Sequence, residues 1–171
     1  INLVRGMIVC VPRNMLKAAG FYNTLLKSDD PALVIECLNG YRIKENEPSN
    51  YGDFTTPIGV PEVVKTGDDV TVVSYGSTFN LCEQASEILD EMNVSCELID
   101  VQTLLPFDIN QMIVNSLKKT NRIIFIDEDV PGGATSFMLN EVINKQKGYY
   151  HLDSQPLTCL LYTSDAADEV R

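Results

Sequence analysis

General acid–base chemistry near neutral pH most often uses histidine, and this chain has one, His151, which any Ser-His-Asp or Cys-His arrangement would have to recruit. Neither the Gly-x-Ser-x-Gly pattern of a nucleophile elbow nor a phosphate loop ending in Gly-Lys-Ser or Gly-Lys-Thr occurs. Three other groups have residue types suited to binding. Asp127-Glu128-Asp129 is followed by Pro131-Gly132-Gly133, so carboxylates stand where a strand gives way to a turn and a helix. Hard cations take oxygen ligands of this kind, and the plainer reading is a solvated acidic turn, since three neighbouring side chains rarely converge on one ion. Gly76-Ser77-Thr78 puts backbone amides at a helix start, the setting of an anion site, but lacks the rest of a dinucleotide fingerprint and reads as a helix cap. Ser28-Asp29-Asp30 is electrostatically odd: acidic side chains near a helix C-terminus add to its negative end at a cost of about 0.3–1 kcal/mol each. A bound cation would offset that cost, and a turn built from good turn formers is the competing explanation.

The elements that must position these residues can be read from periodicity. Residues 7–11 and 32–35 are short apolar runs, the pattern of strands covered on both faces. Between them Asn14 can cap a helix whose apolar stripe is Met15, Ala18, Ala19, Tyr22, Leu25 and Leu26. Pro31 disfavours helical conformation at Asp30 and ends it. Strand, helix and strand then predict a parallel pair closed by a right-handed crossover. From 39 to 67 the periodicity fades into glycines and prolines, the punctuation of a connecting segment and of a domain boundary. Beyond it the pattern alternates: strands over 70–75, 96–101 and 122–126, helices over 78–92, 109–119 and 134–147. That alternation predicts an open α/β sheet with helices on its faces. Leu81, Ala85, Ile88, Leu89 and Met92 are the expected buried stripe of the first of these helices, and Ile109, Ile113 and Leu117 of the second, with Asp108 and Gln111 resembling a capping box.

Composition narrows the function. With 44% hydrophobic and 22% charged residues the chain has the balance of a folded protein. Thirteen Lys plus Arg against 24 Asp plus Glu give a net charge of −11, which would repel polyphosphate and anionic lipid, so neither nucleic acid nor membrane is an expected partner. No apolar run approaches the roughly 18 residues that a spanning helix needs. Cys10, Cys37, Cys82 and Cys96 stand singly in largely apolar stretches, which suits buried thiols in a reducing compartment, and a cytoplasmic location is expected. The start at Ile1, directly in structured sequence, reads as a fragment.

Several stretches, in order, resemble the β subunit of the thiamine-diphosphate-dependent decarboxylating component of 2-oxo acid dehydrogenase complexes. They are Asp30-Pro31-Ala32-Leu33-Val34-Ile35-Glu36, Pro57-Ile58-Gly59, Asp69-Val70-Thr71-Val72-Val73-Ser74-Tyr75-Gly76, the run from Val94 through Ile99-Asp100, Thr103-Leu104, Pro106 and Asp108, and Asp127-Glu128 with Gly132-Gly133. Gln102 stands where arginine is common in that family. The resemblance implies an α/β chain: 1–38 as the end of a pyrimidine-binding domain, 39–67 as linker, and 68–158 as a transketolase C-terminal-type three-layer α/β domain with a mainly parallel sheet. Residues 159–169 resemble a translated sequencing-library adapter, making 159–171 a non-native tail. The implied activity of the complete enzyme is oxidative decarboxylation of a branched-chain 2-oxo acid or pyruvate, with acyl transfer to lipoamide. Its cofactors are thiamine diphosphate and Mg²⁺, held by residues outside this chain, so no catalytic residue is assigned here and the fragment alone should be inactive. Implied partners are an α subunit or fused α portion, a second β subunit and the dihydrolipoyl acyltransferase. A family potassium site would fall on the carbonyl of Leu25 and the side chains of Ser28 and Asp30. A transketolase or 1-deoxyxylulose-5-phosphate synthase fragment, acting on sugar phosphates, and a non-catalytic interaction module are the competing readings.

Overall fold

Short apolar runs and amphipathic segments assemble into two sheets, described by a computed structural model over residues 6–37, 40, 44–45, 50–128 and 130–161. In chain order the elements are β1 (Ile8–Cys10), α1 (Met15–Leu25), β2 (Ala32–Val34), β3 (Glu62–Lys65), β4 (Val70–Ser74), α2 (Gly76–Glu91), β5 (Cys96–Asp100) and β6 (Thr103–Leu105). They continue with α3 (Met112–Thr120), β7 (Ile123–Asp127), α4 (Ala134–Leu139), a π-helical segment (Asn140–Lys145), a 3-10 turn (Gly148–His151) and β8 (Leu157–Leu160).

The smaller sheet has the order β2-β1-β6. β1 and β2 are parallel, with Ile8 opposite Ala32 and Cys10 opposite Val34, as the strand-helix-strand pattern requires. β6 joins from far along the chain and runs antiparallel to β1. The larger sheet has the order β3-β5-β4-β7-β8, and only β3, at one edge, is antiparallel to its neighbour. All five residues of β5 are buried, because a central strand of a parallel sheet is covered on both faces. One face packs Val73, Ile99, Phe125, Ile113, Leu117 and Met138 with Val9 and Val11 of β1 and its flank, so the two sheets share one core. The other face packs Val72 and Leu98 beneath Phe79 and Cys82 of α2. This is the three-layer α/β architecture expected.

Several local expectations are corrected. In α1 the buried residues are Ala18, Gly20 and Phe21, while Met15, Tyr22 and Leu26 of the expected stripe are exposed. The reason is the connecting segment. Thr56 donates its amide to the Gly20 carbonyl at 3.1 Å, and a Cβ at Gly20 would stand 2.1 Å from Thr56 Oγ1, so the glycine notch selects the packed face. In α2 the buried residues are Gly76, Thr78, Phe79, Cys82 and Ser86, Leu89 is half-buried, and Leu81, Ala85, Ile88 and Met92 face outward. α3 begins at Met112 rather than Ile109, because Asp108 and Gln111 both take left-handed conformations and leave Ile109 57% exposed. Asp108 caps it nonetheless: its two carboxylate oxygens accept the amides of Met112 and Ile113 at 2.7 and 3.1 Å, in place of the reciprocal capping box. The last helix changes to π-helical winding at Asn140. Residues 39–67 supply β3 and the contact with α1, and β8 takes in Cys159 and Leu160. The rest of the adapter-like segment from Tyr162 onward lies outside the described residues, as do residues 1–5.

Asp108 is 2% exposed and also lies 3.3 Å from Gln146 Nε2, so Asp108→Ala should lower unfolding free energy by about 2 kcal/mol in urea titration, with Asp108→Asn losing less.

Candidate functional site

In an open α/β sheet the ligand crevice forms outside the carboxyl ends of the strands where the order reverses. From β4 the chain moves to β5 on one side, and from β7 to β8 on the other, so the reversal falls between β4 and β7. Two of the groups singled out on sequence meet there. Tyr75, just after β4, donates its hydroxyl to Asp127 Oδ2 at 2.6 Å, and Ser77 Oγ donates to Glu128 Oε1 at 3.3 Å. Asp127 is 2% exposed, and its other oxygen accepts the Glu128 amide at 2.7 Å. Oδ2 therefore ties the residue after β4 to the end of β7 while Oδ1 caps the turn that follows, so for Asp127 the expected solvated acidic turn is corrected: the carboxylate is buried and structural. Asp129 lies outside the described residues. Among the described residues no group of three or more His, Cys, Asp or Glu could hold a metal ion.

The crevice itself is closed by the smaller sheet. Gly76 has φ +59, and a Cβ there would stand 3.0 Å from Val11 Cγ1 and 3.4 Å from Cys37 Sγ. Val11 donates its amide to the Gln102 carbonyl at 2.8 Å, and Val101 donates to Ser74 at 2.9 Å, so backbone from β1's flank sits against the carboxyl ends of β5 and β4. Burial pushes the Cys37 thiol pKa up, partly offset by Ser77.

Beside this seam lies a buried ionic junction. Arg13, between β1 and α1, places Nη1 2.6 Å from Asp100 Oδ2 at the end of β5 and 2.6 Å from Glu62 Oε2 in β3. Lys17 of α1 adds Nζ to the same Glu62 oxygen at 2.9 Å. The guanidinium also lies 5.4 Å from the Phe79 ring centroid, within cation–π range. The Asp100 side chain is wholly buried, that of Arg13 only 13% exposed. Burial outweighs the favourable charge of Arg13 and raises the Asp100 carboxyl to about 6; for Glu62, half as deep, Arg13 and Lys17 win and hold it below the usual glutamate range. Asp100 Oδ1 accepts the Gln102 amide at 3.2 Å, and Gln102 Nε2 reaches the Val60 carbonyl at 3.3 Å. The arrangement is suited to holding two structural units in register rather than to proton transfer with a substrate.

The remaining sequence candidates stand apart. His151 contributes its backbone carbonyl to Asn121 Nδ2 at 2.8 Å, beside the amino end of β7 and so at the opposite end of the sheet from Asp127. Leu25, Ser28 and Asp30 are together at the end of α1. The Leu25 carbonyl accepts the Ser28 amide at 3.0 Å, and Ser28 Oγ accepts the Asp30 amide at 3.2 Å. Sequence reasoning passed over Arg13, Lys17 and Glu62. The signal was there in Asp100, an acid closing the otherwise apolar run of a strand covered on both faces, which requires a cation from elsewhere.

The pattern of the family described as "Transketolase, C-terminal domain" matches residues 59–169. The pyruvate dehydrogenase E1 component subunit beta of Acholeplasma laidlawii is 31% identical over 155 residues, 90% of this chain and 46% of that protein. The 2-oxoisovalerate dehydrogenase subunit beta of Bacillus subtilis is 28% identical over 141 residues, 82% of this chain and 42% of that one. The acetoin:2,6-dichlorophenolindophenol oxidoreductase subunit beta of the same organism is 33% identical over 128 residues, 75% and 36%. This chain thus spans somewhat under half the length of these relatives. Among solved structures, a "Split gene transketolase, inactive beta4 tetramer" superposes with a TM-score of 0.72 over 95% of this chain and 50% of that one, at 19% identity, a likeness of fold.

Arg13→Met should destabilise the chain by about 3–5 kcal/mol at pH 8, where Asp100 is left charged and unpaired in the interior. An acid whose folded pKa is raised, here from 3.8 to about 6, adds stability that is complete below pH 3.8 and lost as pH rises through 6. The Arg13→Met deficit should therefore shrink at pH 5, and Asp100→Asn should remove this falling contribution between pH 4 and 6, both read from urea unfolding at each pH.

Proposed function

The chain belongs to the transketolase C-terminal domain family, and from that premise we propose that it is the back part of the β subunit of a thiamine-diphosphate-dependent 2-oxo acid dehydrogenase. The observation that carries this reading is the closed crevice: the place where an open α/β sheet would take a ligand is occupied by Val11 and Cys37, in the segments that follow β1 and β2, and locked by Arg13 and Asp100. In this reading the larger sheet assembles the enzyme while the reacting groups sit elsewhere. The complete enzyme decarboxylates pyruvate or a branched-chain 2-oxo acid in the cytoplasm and passes the acyl group to lipoamide.

Thiamine diphosphate, when bound, serves as the electron sink of that reaction. The described residues do not fit it or its Mg²⁺: Asp127 is buried with its oxygens turned to Tyr75 and the Glu128 amide, and no group of three or more His, Cys, Asp or Glu among the described residues could hold the metal. The cofactor is accordingly assigned to the α subunit, or a fused α portion, and to the part of the β subunit that lies outside this chain. What this chain's residues do is orient and hold: Arg13 and Lys17 fix the end of β1 and the start of α1 against β3 and β5. The second β subunit and the dihydrolipoyl acyltransferase are its further partners, the acidic surface favouring a basic docking domain through encounter rate and orientation.

The end of α1 fits a potassium ion better. α1 has no basic residue in its last turn to meet its negative end. The Leu25 carbonyl, the Ser28 hydroxyl and the exposed Asp30 carboxylate are hard oxygen donors, and the first two keep a lone pair beyond the hydrogen bond each accepts.

Two outcomes test these readings. With thiamine diphosphate and Mg²⁺, the complete β subunit combined with its α partner should release CO₂ from pyruvate or a branched-chain 2-oxo acid, whereas the present chain alone should release none; turnover by the chain alone would refute the assembly role. In KCl at ten times the dissociation constant, unfolding free energy should exceed that in equal choline chloride by about 1.4 kcal/mol, a gain that Asp30→Ala should abolish.

A further inference from the structure

We draw no further inference here: the strongest candidate, the exposed and stacked Tyr149–Tyr150 pair on the 3-10 turn at the amino end of the larger sheet, is a surface patch whose flanking Arg122 and Lys145 are already paired with Asp153 and Glu141 of this chain, so nothing in the structure shows what covers it.

Discussion

A carboxylate at the end of a fully covered strand cannot be left alone in the interior, and the arrangement around Asp100 follows from that constraint. Its side chain is wholly buried, and the penalty for an unpaired charge there amounts to several kcal/mol. The cation comes from the other sheet: Arg13 follows β1 directly, so pairing it with Asp100 fixes where β1 ends relative to β5. Once that distance is set, β6 can extend from β5 and pair antiparallel with β1, and Val9 and Val11 fall into the core beside Val73 and Ile99. The ion pair need not add net stability to act this way. A buried pair often does no better than apolar side chains of equal volume, and its contribution here is read as register, since any slip of β1 strands the charge.

The same constraint explains why a fold with a customary ligand crevice has none open. The carboxyl ends of β4 and β7 would offer backbone amides and acidic side chains to a ligand. Here Tyr75 and the Glu128 amide occupy Asp127, and Val11 and Cys37 crowd Gly76. Fold class alone would have pointed to a ligand site in that crevice. The contacts point to an internal interface instead.

The strands and their parallel pairing were legible in the sequence because continuous apolar runs bounded by turn residues have one economical solution in an α/β chain. Strand ends were right to within a residue or two, since Pro12 and Asn121 are local stops. Helix faces were not legible. In α1 and α2 much of the expected apolar stripe points outward, and the inward face mixes Phe21, Phe79 and Cys82 with small or polar residues: Gly20 takes the chain at Thr56, and Ser86 is satisfied by Lys65 and the Glu83 carbonyl. Periodicity counts apolar residues but does not know what the helix packs against. β3, β6 and β8 were missed for a related reason, as short strands whose pairing depends on partners distant in sequence. The acidic turn was legible as a group but not in its role, because its partner Tyr75 lies 52 positions away.

The outward stripes and the inward ionic junction are two sides of one division. Burying Arg13 with Asp100 is tolerable only where each has a hydrogen-bonding counterpart, as Glu62 and the Gln102 amide provide, and such matching is available between segments that fold as one chain. Contacts with a separate partner must instead tolerate exposure before association, which favours apolar side chains ringed by solvated charge over buried pairs. Leu81, Ile88 and Met92, exposed on α2 with Glu91 at their edge, have that second composition, and Arg13 with Asp100 the first. The chemistry of each surface therefore separates the contacts that make this chain from those it offers.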